Sequence, residues 1–205
     1  MGRRLILELQ YDQDCPSPEE DSGWKLYSFR RGSGVDPYRF IEPYSGGKPA
    51  SIGLRRKLAV GSAFWLSCYE HGIQVWALYG EGPTIDRRWD YTYLAGILVW
   101  EGSLEDLPKG LEARRRDARA FLDTYNDWCS GSCYGYVLSD GDGNEIDNCW
   151  GFIGADSGMA EFVNGSLEEG DELVVEGEAA ELAKYLNLKA RIVDGEIELA
   201  RRLRG

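Results

Sequence analysis

Alternation of apolar and polar residues predicts several β-strands along this chain. Leu5, Leu7 and Leu9 alternate with more polar neighbours, which is typical of a strand with one buried face. Runs rich in apolar and aromatic residues predict further strands at 24–29, 62–69, 73–79, 92–100 and 172–176. The short step Glu70-His71-Gly72 separates two of these runs and predicts a β-hairpin.

The clearest helix pattern opens the segment 118–154, and we expect this segment to form the structural centre of the protein. Apolar residues recur there at steps of three and four, the spacing of one helix face, at Ala118, Phe121, Leu122, Tyr125, Trp128 and Cys129. Ser130-Gly131 is expected to end this helix, because glycine readily adopts the left-handed conformation found past helix ends. Strands at 133–139 and 146–152 follow, joined by a polar turn, and Trp150 is expected in the core.

Together these elements predict an α+β fold, with a mainly antiparallel β-sheet, one long amphipathic helix and two shorter helices. A chain of 205 residues can bury one sizeable core or two small ones. The sequence favours a single compact unit over 1–205, which can divide into a β-rich lobe, 1–105, and a mixed lobe, 106–205.

The balance of charge restricts the partners of this protein. Its 35 acidic and 23 basic residues give a net charge of −12. A surface with this excess of negative charge disfavours binding to nucleic acid and to anionic lipid, because contacts with phosphate require Lys and Arg. Two interpretations remain, namely plain solubility and imitation of a polyanion towards a protein that binds one. For the second, the candidate binding residues are Asp12, Asp14, Glu19, Glu20, Asp21, Asp140, Asp142 and Trp150.

Cysteine usage and hydropathy indicate the compartment. The five cysteines form no dense framework, which favours reduced thiols in a cytoplasm. No run approaches the roughly twenty apolar residues of a membrane helix, so we expect no contact with a membrane.

Metal sites are incomplete in the sequence. Asp140, Asp142 and Asn144 follow EF-hand spacing, but Glu145 and Gly151 stand where that loop needs Gly and a bidentate Glu. Zinc is the alternative, since three cysteines lie close in sequence and a hairpin could bring Cys149 beside Cys133, but a fourth ligand is missing. The sequence therefore predicts neither a metal nor a cofactor.

Catalytic motifs are absent as well. His71 is the only histidine, and the sequence contains no GxxxxGK[ST], HExxH or GxSxG motif. These absences favour a non-enzymatic function. The alternative is a binding or hydrolytic site for a small ligand around residues 114–152, where aromatic residues follow the basic cluster Arg114, Arg115, Arg116 and Arg119. A solvated helix face, with the arginines paired to Glu112 and Asp117, also accounts for that cluster.

The same region resembles a known group of proteins. The steps Tyr125-Asn126, Tyr134-Gly135-Tyr136 and Cys149-Trp150-Gly151-Phe152, together with the run RRKLAVGSAFWLSCYEHG, resemble segments of small, uncharacterised proteins of bacteriophages and other mobile elements. The resemblance implies a genetic setting and no particular chemistry. We therefore expect a phage or plasmid accessory protein that binds a host protein, in its most specific form one that inhibits a host defence enzyme through an acidic surface.

Overall fold

The computed structural model describes residues 2–29, 52–82, 90–155 and 157–193. Within these ranges the strands are β1 Arg4–Tyr11, β2 Trp24–Ser28, β3 Ala63–His71, β4 Ile73–Leu78, β5 Tyr91–Trp100, β6 Cys133–Asp140, β7 Glu145–Ile153, β8 Glu172–Glu176 and β9 Arg191–Val193. The helices are α1 Ile52–Val60, α2 Leu111–Cys129 and α3 Met159–Gly165, with a short 3-10 helix at Ala180–Lys184. Most strand pairings are antiparallel. The predicted α+β fold, with one long helix and two shorter ones, is therefore confirmed.

The chain divides into two compact units. One combines Met1–Pro16 with Gly131–Gly205, and we call it the interrupted unit; the other is Ser17–Ser130, the continuous unit. The sequence-based lobes 1–105 and 106–205 do not coincide with these units. The reason is that β1 takes its partners from the far end of the chain, and local periodicity carries no information on such pairing. For the same reason residues 118–154 are not one structural centre, since the division falls at residue 130.

A five-stranded sheet in the order β7-β6-β1-β8-β9 forms the interrupted unit. The strand β1 lies in its middle, antiparallel to β6 and parallel to β8. Leu5, Leu7 and Leu9 are fully buried on one face, where α3 and the 3-10 helix contribute Met159, Val163 and Leu182 to the same core. The alternation of β1 thus decides which face of the sheet is buried, and it leaves Glu8 and Gln10 on the opposite face.

A four-stranded antiparallel sheet in the order β2-β5-β3-β4 forms the continuous unit. Its main core includes Trp24, Trp76 and Leu98 from the strands, together with Ala118 and Leu122 from α2. The predicted hairpin of β3 and β4 turns at Gly72, which has a φ of 78°. Helix α2 ends where expected, at Ser130, and Gly131 follows with a φ of 76°.

Candidate functional site

A cleft in the interrupted unit has a volume of about 880 Å³. It lies against the face of the sheet that carries Glu8 and Gln10. The turn after β1, the middle of β7 and the segment after β8 supply the remaining walls. Its acidic lining residues are Glu8, Asp12, Asp14 and Glu178, its aromatic ones are Tyr11 and Trp150, and its amides are Gln10 and Gln13. We refer to it as the acidic cleft.

Asp12 fixes the wall that follows β1. One of its carboxylate oxygens accepts a hydrogen bond from the backbone N–H of Asp14 at 3.1 Å. The other accepts from the backbone N–H of Gly151, in β7, at 2.9 Å. The backbone N–H of Asp12 in turn donates to the carbonyl of Cys133 at 2.8 Å. Asp12 therefore holds the turn against β7, and Asp14, which is exposed, lines the cleft.

Trp150 forms the aromatic part of the cleft because β7 contains a bulge. Tyr134 pairs with Phe152 and Tyr136 with Cys149, so two residues of β7 stand opposite the single residue between those tyrosines. This extra residue interrupts the alternation, so that Cys149 and Phe152 share the inner face and Trp150 turns outward. Trp150 is 44% exposed, and the expectation that it belongs to the core is wrong.

Gly135 makes room for the Trp150 indole. A Cβ at this position would lie 2.1 Å from Cε3 and 2.5 Å from Cδ2 of Trp150, far inside van der Waals contact. The six-membered ring of the indole therefore lies directly over the backbone of β6. One ring face is covered by that backbone, and the side chain remains an exposed part of the cleft lining.

The charged side chains described in the lining of the acidic cleft are all negative. Among the described residues that line it, four are carboxylates and none is Lys, Arg or His. Tyr11 also lines the cleft, although strand alternation places its side chain with Leu9 on the other face of the sheet, where its ring lies 5.4 Å from the ring of Tyr134. Carboxylates beside exposed aromatic faces attract cations, both by Coulomb forces and through the ring quadrupole. The cleft is therefore suited to a positively charged ligand.

The other predicted acidic residues lie elsewhere. Glu19, Glu20 and Asp21 belong to the continuous unit. The Glu19 carboxylate accepts a hydrogen bond from the backbone N–H of Leu26 at 2.6 Å, so its charge is used inside that unit. The acidic loop 11–21 is consequently divided between two units, and two of its five carboxylates, those of Asp12 and Glu19, accept hydrogen bonds from the backbone.

Asp140 and Asp142 form the turn between β6 and β7, in the interrupted unit. Asp140 pairs with Leu5, whereas Tyr134 pairs with Tyr11 at the cleft end of β1. Six strand residues separate these positions, which corresponds to roughly 20 Å. Hydrogen bonds from the side chain and backbone of Asn144 lower the pKa of Asp140. The turn lies where the sequence predicted one, the Asp140 carboxylate organises it, and this residue is not part of the lining of the acidic cleft.

The arginine cluster of α2 has structural partners. Arg115 and Arg119 both bind the carboxylate of Glu81, at 2.8 and 2.6 Å. Arg114 donates to the carbonyls of Pro108 and Val60, each at 2.7 Å. The hydrogen bond from Arg119, followed by that from Arg115, lowers the pKa of Glu81. The sequence suggested pairing with Glu112 and Asp117; the hydrogen bond to Glu81 is the main cause of the raised pKa of Arg119, and the charge of Glu112 makes a smaller contribution.

Asp117 instead binds a core side chain. Its carboxylate accepts a hydrogen bond from the indole N–H of Trp24 at 2.8 Å. The aromatic set proposed for the alternative ligand site is also divided, since Tyr136 and Phe152 are 1% and 6% exposed and belong to the core. An arginine-lined aromatic site over residues 114–152 therefore gains no support from these contacts.

The cysteines do not assemble as the zinc alternative required. In the pairing of β6 with β7, Cys149 lies opposite Tyr136, and Cys133 lies opposite Ile153. In the described parts of the chain, no three His, Cys, Asp or Glu side chains gather closely enough to hold a metal ion. His71 lies at the end of β3, where its Nδ1 is 3.1 Å from a carboxylate oxygen of Asp90.

Several residues of the acidic cleft were missed by the sequence analysis, namely Glu8, Gln10, Tyr11, Gln13 and Glu178. The polar alternation of β1 carried a usable signal, because it placed Glu8 and Gln10 on the face opposite the leucines. No comparable signal exists for Glu178, which reaches the cleft only through the parallel pairing of β8 with β1.

Comparison with known proteins adds no relative. No family model, no curated protein and no solved structure matches this chain. None of the helices within the described residues combines the length and apolarity that crossing a membrane requires.

Proposed function

We propose that this protein acts by binding a partner protein, and that the acidic cleft holds a basic segment of that partner. The observation that carries the proposal is a cleft of about 880 Å³ that four carboxylates line, without a cationic residue among its described lining. Pockets of roughly 300–1,000 Å³ are typical of specific ligand sites in proteins. A few residues of a peptide fit such a volume.

The sign of the charge selects the class of partner. A net charge of −12 and a cleft of the same sign repel phosphate, which argues against nucleic acid and anionic membranes. A Lys- or Arg-bearing protein surface is attracted by the same field, and electrostatic attraction also increases the rate of encounter. This binding activity requires no cofactor and no catalytic residue.

The narrower proposal concerns the biological setting. The resemblance to phage and mobile-element proteins supports an accessory protein that works in the cytoplasm of a host cell. Host defence enzymes that act on nucleic acid carry basic surfaces for phosphate, and an acidic cleft is complementary to such a surface. Inhibition of a defence enzyme is the most specific form of the proposal.

Two double variants with equal changes in net charge test the binding proposal. Asp14→Asn with Glu178→Gln removes two exposed carboxylates of the cleft, whereas Asp142→Asn with Glu169→Gln removes two exposed carboxylates outside its lining. Binding of a labelled peptide of alternating Lys and Arg is followed by fluorescence anisotropy, from about 50 to about 300 mM NaCl. We expect the cleft variant to weaken binding by about three- to thirtyfold, and to flatten its salt dependence.

The control variant distinguishes binding at the acidic cleft from attraction by the overall negative charge of the protein. We expect it to change the affinity by less than about twofold, because its carboxylates lie away from the cleft. Equal losses in both variants, or no loss in the cleft variant, would contradict the proposed site. The same pair applies to capture from host lysate, where a specific partner must disappear with the cleft variant and persist with the control.

A further inference from the structure

The arrangement of Trp150 on Gly135 points to the kind of cation that the cleft takes. We infer that the acidic cleft selects arginine, whose guanidinium group stacks on the open face of the Trp150 indole while the carboxylates of the cleft balance its charge. This inference rests on the proposed function, which requires only a basic segment, and it adds the identity of the side chain.

The platform is built into the backbone of the sheet. The bulge in β7 turns Trp150 outward, and the absence of a side chain at Gly135 lets the ring lie flat on β6. A ring that is supported on one face cannot fold back into that space, so its other face stays available. A tryptophan that is 44% exposed costs solvation free energy, and a stacking ligand recovers that cost.

A flat, open ring favours guanidinium over the other biological cations. Guanidinium is planar, weakly hydrated and able to stack on an indole while its N–H groups bind carboxylates. The ammonium group of lysine is compact and strongly hydrated, so it gains less from the ring. Quaternary ammonium groups are held by cages of several rings, whereas among the described lining residues Trp150 supplies the one ring on the face that carries Glu8 and Gln10.

Hexa-arginine and hexa-lysine provide probes of equal charge. We expect the wild-type protein to bind hexa-arginine about five- to thirtyfold more tightly than hexa-lysine in anisotropy measurements. Trp150→Leu keeps an apolar side chain without a ring, and it is expected to reduce this ratio to about one to two. Hexa-lysine affinity should fall by a smaller factor than hexa-arginine affinity in the same variant, because an ammonium group gains less from the ring.

Gly135→Ala tests the support beneath the ring. Its new methyl group occupies the position that lies 2.1 Å from Cε3, so the indole must move while every charge of the cleft is retained. We expect the same loss of arginine preference as in Trp150→Leu. Circular dichroism shows whether the alanine variant folds, and if it does not, Trp150→Leu alone decides the question.

The outcomes separate this inference from the proposed function. Equal binding of the two peptides by the wild type, with loss of both in the Asp14→Asn, Glu178→Gln variant, overturns the arginine preference and leaves the basic-segment site standing. A preference for arginine that survives Trp150→Leu also overturns the inference. If neither peptide responds to the loss of the cleft carboxylates, the proposed function fails with it.

Discussion

Among the described residues, Asp171 is the one acidic side chain that is buried, and its contacts explain why it is tolerated there. Its carboxylate accepts hydrogen bonds from the Arg3 guanidinium at 2.6 Å, from the Arg3 backbone N–H at 3.0 Å and from the Glu168 backbone N–H at 2.9 Å. All of these groups are N–H donors, so they require acceptor oxygens at this position. The residue thereby fixes the chain just before β1 to the turn before β8.

Replacing Asp171 with Asn should destabilise the protein, because an amide N–H₂ group faces donors in place of one carboxylate oxygen. The loss of hydrogen bonds to a buried acceptor corresponds to about 1–3 kcal/mol in the free energy of unfolding. Urea unfolding near pH 7 measures it. The matched control is Glu168→Gln, whose carboxylate lies 3.5 Å from Arg3 and is 75% exposed, and it should cost less than about 0.5 kcal/mol. Equal costs would contradict this account of Asp171.

The same carboxylate should make stability depend on pH. The hydrogen bond from Arg3 lowers the pKa of Asp171 to about 2, compared with an ordinary value near 4. The folded protein therefore binds this proton less readily than the unfolded chain, and the stabilisation is complete above about pH 4 and lost as the pH falls towards 2. The difference in unfolding free energy between wild type and Asp171→Asn should shrink over this window. A constant difference would contradict the prediction.

At the scale of elements, Asn126 joins the long helix to an edge strand. Its side-chain oxygen accepts from the backbone N–H of Trp76 at 2.8 Å, and its side-chain N–H₂ donates to the carbonyl of the same residue at 2.9 Å. Trp76 lies in β4, the last strand of its sheet, where one edge has no neighbouring strand among the described residues. The amide thus takes the place of a paired strand at one position, which protects that edge.

Removal of this amide by Asn126→Ala should leave two backbone groups of β4 without their partners. We expect a loss of about 1–3 kcal/mol in the free energy of unfolding. Amide hydrogen exchange at Trp76 should accelerate more than at the other positions of the hairpin. Asp123→Ala, an exposed substitution on the same helix, should change stability by less than about 0.5 kcal/mol. A comparable loss in both variants would assign the effect to the helix in general.

The sequence was most informative about the positions of individual strands and helices. Strict alternation located β1, and the spacing of apolar residues located α2, because both patterns depend only on near neighbours. The helix Ile52–Val60 was missed, since Arg55, Arg56 and Lys57 interrupt its apolar spacing. The orientation of Trp150 was missed for a different reason, because a bulge is decided by pairing with β6 and leaves no mark in the periodicity of β7.

For the molecule as a whole, the sequence predicted the fold class but not the division into units. That division depends on the pairing of β1 with β6 and β8, which are more than a hundred residues away along the chain. The acidic cleft could not be predicted for the same reason, because its walls come from three segments that are distant along the chain. Asp12, Asp14 and Trp150 were among the candidate binding residues, but their position in one cleft depends on tertiary pairing.

Two separate cores should respond separately to mutation. Leu7→Ala removes a fully buried side chain of the interrupted unit, and it should cost about 2–5 kcal/mol in that unit. Hydrogen exchange measured by mass spectrometry should accelerate most in β1, β6 and β8. Leu98→Ala is the matched variant in the core of the continuous unit, where acceleration should concentrate in β2, β3 and β5. A uniform acceleration from either substitution would contradict the division.

The central place of β1 has a consequence for the order of events on the ribosome. Strand β1 lies in the middle of its sheet and is translated before the other described strands of that sheet, and both of its neighbours follow after residue 130. At roughly 5–20 residues per second, β1 exists for on the order of ten seconds before β6 has been synthesised. All of Ser17–Ser130 is synthesised during that interval. Nascent chains of this protein therefore carry an unpaired strand with three buried-type leucines, a natural target for chaperones that bind extended apolar segments.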